Sequence, residues 1–341
     1  MTQEQQGPIE APEFPTGITW LQGGPLKLAG LRGRTVLIDF WDYTCVECLH
    51  TLPYLQEWHR RYQEHGLRVI GVHAPEFSFG HNVDHVRRAV AEHGLTYAIV
   101  IDNDYAFMQA YRNRFWPAKF LIDREGHLRY YRAGEGGYGE IEAGIQALLK
   151  EAFPQVLLPG VMEPVRDTDA PGAVCYRVTP ELYLGYHQGR IGNTTGIVPD
   201  RPARYRDLDK HAEGHFYLEG DWQIMGECVA RPVGASGESR LHLRYMAKEV
   251  NLVMHPPLAG GEARIELLQD GSPLAAEDAG EDAEIENGRA VVEVDRPRMF
   301  RLVNNREIDT HELTVVTSND GLALFAFTFG SCLAAPPETT T

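Results

Sequence analysis

Residues 39–50 read DFWDYTCVECLH, and this stretch decides the fold. Just upstream, TVLIDF (35–40) is an apolar, β-branched run of strand length, and downstream a helical pattern extends from Cys45 to His65. Two thiols three residues apart therefore stand where a strand gives way to a helix. In a helix that starts at Cys45, positions three apart face the same way, so the sulfurs can close a disulfide with little backbone movement. Unpaired amides and the positive end of the helix dipole favour a thiolate on the first cysteine, whereas the second lies further in and is shielded. Cys45 is the expected nucleophile and Cys48 the resolving thiol.

Outward from this point the pattern stays α/β. LRVIGVH (67–73) precedes a helical segment at 82–93, and TYAIVID (96–102) precedes one at 105–113. KFLID (119–123), a turn at 124–126 and HLRYYRA (127–133) read as a hairpin, followed by a helix at 139–153. Alternating strands and helices predict a central mixed sheet flanked by helices. Proline 53 is expected to kink the first helix. The segment PQVLLPGVMEPVRDTDAPG (154–172) has no clear periodicity and reads as a linker or a strapped connection. Beyond it the helical period vanishes. Runs such as RLHLRYMAKEVNLVMH (240–255), MFRLVN (299–304), HELTVVT (311–317) and LALFAFTFG (322–330), with turns at Asp270-Gly271 and Asn287-Gly288, predict an all-β sandwich. The expected layout is a flexible segment 1–15, an α/β domain 16–154, a linker 155–174, a sandwich 175–332 and a tail 333–341.

The chain has 341 residues, 43% of them apolar, enough for two cores. No apolar run approaches the roughly 18 to 20 residues of a bilayer-crossing helix. A net charge of −16 disfavours nucleic acid and anionic lipid, whose affinity comes from clustered Lys and Arg. The first basic residue is Lys27 and the opening stretch lacks the order of a secretory signal, so a cytoplasmic location is expected. Five cysteines in so long a chain are not a disulfide framework. Cys175, Cys228 and Cys332 read as buried thiols, although Cys175 and Cys332 bracket the sandwich and can form a staple in an oxidising compartment.

Asp39 alternates with Leu37 and Trp41 in an apolar strand, where a carboxylate is costly unless used or paired. Beside a dithiol it can carry protons to and from Cys48; the alternative is a strand-end Asp bonded to backbone. Asp39, Asp42 and Glu47 surround the dithiol with negative charge, and no Lys or Arg stands beside it in sequence, which predicts a reductant. Zinc on Cys45, Cys48 and His50 is the competing reading, but a closed site needs four ligands and no second close cysteine pair exists. Trp116-Pro117 opens the strand AKFLID; a cis bond there would bare backbone to an extended substrate, against a generic cis frequency of about 5 to 6%.

With these residues in view, the half from about Thr16 to Phe153 resembles the thioredoxin superfamily in its TlpA-like branch, and more closely the DipZ-like redoxins. The shared stretches run from DFW through CxxC to TLPYLQEW, then GVHAPEF, DNDY and AYRNRFWPAKFLID. The resemblance implies that Asp39 is the buried acid, that Pro117 is cis, and that residues 79–102 hold an inserted helix and strand. Substrate contact is expected at Trp41, Trp116 and Pro117. The C-terminal half resembles the carbohydrate-binding-module-like, jelly-roll sandwich that follows in DipZ, through YLGY, GDW and FAFTFG. DipZ-like proteins carry a membrane-embedded electron-conducting domain ahead of this pair. That domain is not in this sequence, so an upstream thiol reductant is expected and its identity stays open. Val46-Glu47 also replaces the more usual Ile-Asn.

The expected activity is a thiol:disulfide oxidoreductase acting on protein disulfides, with no bound metal or cofactor. One rival is a peroxide-reducing redoxin, which should carry Thr three residues before its attacking cysteine, where this chain has Asp42. The other is a glycan- or protein-binding adaptor on a redoxin scaffold. Tyr183, Tyr186, Phe216, Tyr217 and Trp222 can stack on a sugar, although aromatics at strand positions are commonly core. The sandwich can instead dock a partner or hold a homodimer.

Overall fold

All seven residues of β2 (Thr35–Trp41) are buried, which the run TVLIDFW achieves only with neighbours on both edges and both faces. β3 (Leu67–His73) lies parallel to it on one side and β5 (Ala118–Ile122) antiparallel on the other. The computed structural model describes residues 8–207, 209–258 and 260–334. The chain divides into two units, the second spanning Val174–Leu333.

The first unit adds β1 (Thr19–Gln22), β4 (Ala98–Ile101) and β6 (Leu128–Ala133), giving the sheet order β1-β4-β3-β2-β5-β6. Its helices are α1 (Val46–Tyr62), α2 (Val83–Glu92), α3 (Ala106–Ala110) and α4 (Tyr138–Ala152). The pleat sorts β2 between two cores. Leu37 and Trp41 pack with Cys48, Leu52 and Ile145, whereas Val36, Ile38 and Phe40 pack with Phe107 and Met108. Asp39, in phase with Leu37 and Trp41, thus belongs to the face covered by α1 and α4. The inserted pair expected within 79–102 is α2 and β4.

α1 runs unbroken through Pro53, with Leu52, Tyr54 and Leu55 buried around the proline. Residues 9–14 are held, not free: Leu128 N–H donates to Ile9 C=O, Ala11 N–H to Gly126 C=O, and the Glu13 carboxylate accepts from Leu28 and Ala29 N–H. Residues 1–7 and 335–341 lie outside the described residues. The connection after α4 is a strap on the first unit, where Arg61 donates to Gly160 C=O, Met162 N–H to Glu142, and Tyr54 OH to Asp169.

In the second unit two long strands, Ser239–His255 and Arg298–Thr317, pair along most of their length. Register shifts interrupt the first between Ala247 and Glu249 and between Val250 and Asn251. Over Arg240–Leu243 it pairs with the strand Phe216–Ile224; from Glu249 onward it pairs with Ala323–Gly330. Changing partners at these bulges folds the eleven-stranded sheet over into two layers. One core that includes Trp222, Leu252, Phe300, Val315 and Phe327 fills the interior. At Asp270-Gly271 and Asn287-Gly288 both residues have positive φ, as tight hairpins require.

Candidate active site

Cys45 is the N-cap of α1: its backbone is extended and its Sγ accepts the Cys48 N–H at 3.2 Å. The two cysteines are joined in a disulfide with Cα atoms 5.2 Å apart. Cys45 is half-buried, Cys48 is fully buried, and Glu47 between them is exposed. Within the first helical turn Cys45 is thus the more exposed sulfur and Cys48 the shielded one.

Asp39 has no exposure, and neither does Lys119, which faces it across the β2–β5 register with Nζ 3.5 Å from the carboxylate. Lys119 Nζ also lies 3.5 Å from Thr51 Oγ1, and that hydroxyl is 3.2 Å from Tyr138 OH. Thr51 stands one turn beyond Cys48 on α1, so the buried pair reaches the helix just past the resolving cysteine. Burial pushes the Asp39 pKa up to about 6, with Lys119 opposing. Burial also pulls Lys119 below the usual lysine range, with Asp39 opposing. Lys119 is the charged residue that sequence reasoning missed: no Lys or Arg stands beside the dithiol in sequence, but the fold sets this one against Asp39. A charged residue in the buried run AKFLI is the same signal that marked Asp39.

The Trp116-Pro117 bond is cis. Trp116 is half-buried and donates its indole N–H to Ala74 C=O at 2.9 Å, Pro117 is buried, and Phe115 is 54% exposed. Trp41, expected at the substrate surface, is not there: it has no exposure and meets the His73 ring edge-on. Both faces of β2 are covered, so alternation along it leads to one core or the other and never to solvent.

The second unit revises three further expectations. Cys175 and Cys332 are bonded to each other and not buried thiols, and they pair on a two-stranded ribbon of their own. Cys228 is a buried free thiol whose pKa is raised by burial. Of the aromatic candidates, Phe216, Tyr217 and Trp222 are buried core, while Tyr183 and Tyr186 bond Glu181 and Asp200 through their hydroxyls.

A dithiol at the mouth of a helix after a buried central strand, with a buried acid on that strand, defines a thioredoxin-like thiol:disulfide oxidoreductase. A family profile described as Redoxin matches residues 10–146, and one described as Thioredoxin like C-terminal domain matches residues 179–330. Protein DipZ of Mycobacterium bovis is 32% identical over 320 residues, covering 92% of this chain and 42% of that protein. Thiol-disulfide oxidoreductase YkuV of Bacillus subtilis is 30% identical over 140 residues, covering 41% of this chain and 94% of that protein. Thiol-disulfide oxidoreductase ResA of Bacillus thuringiensis is 29% identical over 139 residues, covering 41% of this chain and 76% of that protein. The chain belongs to the thioredoxin-like thiol-disulfide oxidoreductases. It spans about two fifths of the length of the DipZ proteins it matches.

Proposed function

We propose that this chain reduces disulfides in other proteins. Reduced Cys45 attacks a target disulfide, and one target sulfur leaves as a thiol while a Cys45–target mixed disulfide forms. Cys48, losing its proton toward Asp39, then attacks Cys45 Sγ; the second target thiol leaves and the Cys45–Cys48 bond remains. Two electrons and two protons pass to the target, and an upstream thiol reductant restores the pair. The observation that carries this reading is the first turn of α1, with one half-buried sulfur capping the helix and its buried neighbour bonded to it. The substrate lies against the Trp116-Pro117 backbone, next to exposed Phe115.

The direction follows from charge. Exposed Glu47 between the cysteines weakens the preference for a Cys45 thiolate, which makes the disulfide a poor oxidant. Insulin-disulfide reduction with a dithiol donor tests the reading, with peroxide turnover measured in parallel. Insulin reduction that vanishes in Cys45→Ser supports it, and peroxide turnover without insulin reduction overturns it.

The Cys175–Cys332 bond favours an oxidising compartment over the cytoplasm, because glutathione-buffered compartments keep such pairs reduced.

A further inference from the structure

Asp42 and His73 are a buried polar pair that the exchange chemistry leaves unused. Asp42 lies three residues before the nucleophile and is 1% exposed. Its Oδ1 accepts the Thr44 N–H at 2.6 Å and the Thr44 hydroxyl at 2.5 Å, and its Oδ2 accepts the Glu76 N–H at 3.0 Å. The Cys45 N–H in turn donates to Asp42 C=O at 3.3 Å. One side chain thus closes the turn that delivers Cys45 and ties it to the loop after β3. That loop also supplies the Ala74 carbonyl that holds Trp116.

His73 ends β3 with no exposure. Its ring stacks on Tyr43 at 5.6 Å and meets Trp41 edge-on at 5.3 Å, and its Nε2 lies 3.5 Å from Asp42 Oδ2. Neither ring nitrogen has a hydrogen-bond partner of good geometry, which is costly for a buried imidazole. The titratable groups that act on it are Asp42 and His81, with the Tyr43 phenol against its face. Burial holds its pKa below the usual histidine range, with Asp42 opposing.

We propose that Asp42 and His73 are a positioning pair that fixes the nucleophile's turn and sets how readily Cys45 gives up its proton. The proposal rests on Cys45 being the nucleophile. A carboxylate anchored in the turn works against the helix dipole, which on its own favours a thiolate at the N-cap. His73 acts through Asp42 by packing: its ring, fixed between Tyr43 and Trp41, lies 3.5 Å from Oδ2 and limits where the carboxylate can move.

The test uses the full reduced chain. Cys45 alkylation by iodoacetamide is followed against pH, and the dithiol potential is measured in glutathione buffers, for Asp42→Asn, His73→Phe and the double variant. Asp42→Asn is expected to move the alkylation midpoint down by about half to one pH unit and to make the disulfide more oxidising. His73→Phe should shift it less, and the double variant should match Asp42→Asn alone. An unmoved midpoint in Asp42→Asn, or fully additive shifts, overturns the proposal. If Asp42→Asn does not fold, Thr44→Val keeps the charge, removes one donor and should move the midpoint up; no movement there overturns it equally. Wild-type chain that fails to reduce insulin sinks the functional reading, whereas an active wild type with unmoved midpoints sinks only the positioning pair.

Discussion

Lys119 sits opposite Asp39 across the β2–β5 register, and the two charges meet at 3.5 Å with no exposure of either residue. Taking both out of water is costly, and neither Asp39 oxygen has a hydrogen bond of good geometry. The pair is kept in spite of that cost, beneath the helix that carries Cys48.

The pair gives stability a signed pH dependence. Its carboxyl titrates at about 6 in the fold against 3.8 as the ordinary value, so between those limits the folded state binds more protons. The carboxyl's contribution is therefore fully present below about pH 4 and is lost as pH rises to about 6, some two units at ~1.4 kcal/mol each, or about 3 kcal/mol. In denaturant melts, wild type should lose about that amount of stability relative to Asp39→Asn/Lys119→Met as pH rises across the window. A level difference contradicts the assignment.

Removing only the cation leaves the carboxylate uncompensated. Lys119→Met is expected to cost about 3 to 5 kcal/mol at pH 7 and to raise the Asp39 pKa further. The pH profile of mixed-disulfide resolution by Cys48 should move up with it. A variant as stable as wild type with the same profile would separate Lys119 from the chemistry.

How much of this was legible in the sequence depends on what a strand needs from its neighbours. Asp39 could be read because a carboxylate in TVLIDFW has no cheap place to go. Lys119 is the same anomaly in AKFLI, but its meaning depends on β5 lying beside β2, a pairing that no local pattern encodes. His73 likewise reads as the polar end of a strand until Trp41 and Tyr43 close around it. In the second unit, MFRLVN and HELTVVT read as two strands because polar residues separate them. In the fold Thr310 and Asp309 still pair with Met246 and Ala247, and the polar stretch 305–308 is the part left over at the register shift between Ala247 and Glu249.

Gly71 pairs with Asp39 in the β2–β3 register. A Cβ there would come within 2.8 Å of Ile99 Cδ1, 3.0 Å of Tyr97 Cε2 and 3.1 Å of Trp41 Nε1. Gly71→Ala should therefore destabilise by about 1 to 3 kcal/mol through overpacking, read from the urea midpoint. An unchanged midpoint would show slack around Asp39 that the packing does not suggest.

The Cys175–Cys332 bond closes a loop of sequence separation 157 around the second unit. Chain entropy then gives about 5 kcal/mol of stabilisation, so Cys175→Ser/Cys332→Ser should unfold that unit at much lower denaturant. If the double variant melts where wild type does, the bond is incidental to stability.

The central claim is that Cys45 and Cys48 exchange electrons with an outside protein, Cys45 attacking first. The direct measurement is to mix reduced Cys48→Ser chain with insulin, quench the thiols by alkylation and map the captured adduct by mass. The account predicts one insulin chain disulfide-linked to Cys45 and none in Cys45→Ser. Capture at Cys175, Cys228 or Cys332, or no adduct while the wild type reduces insulin, would contradict it.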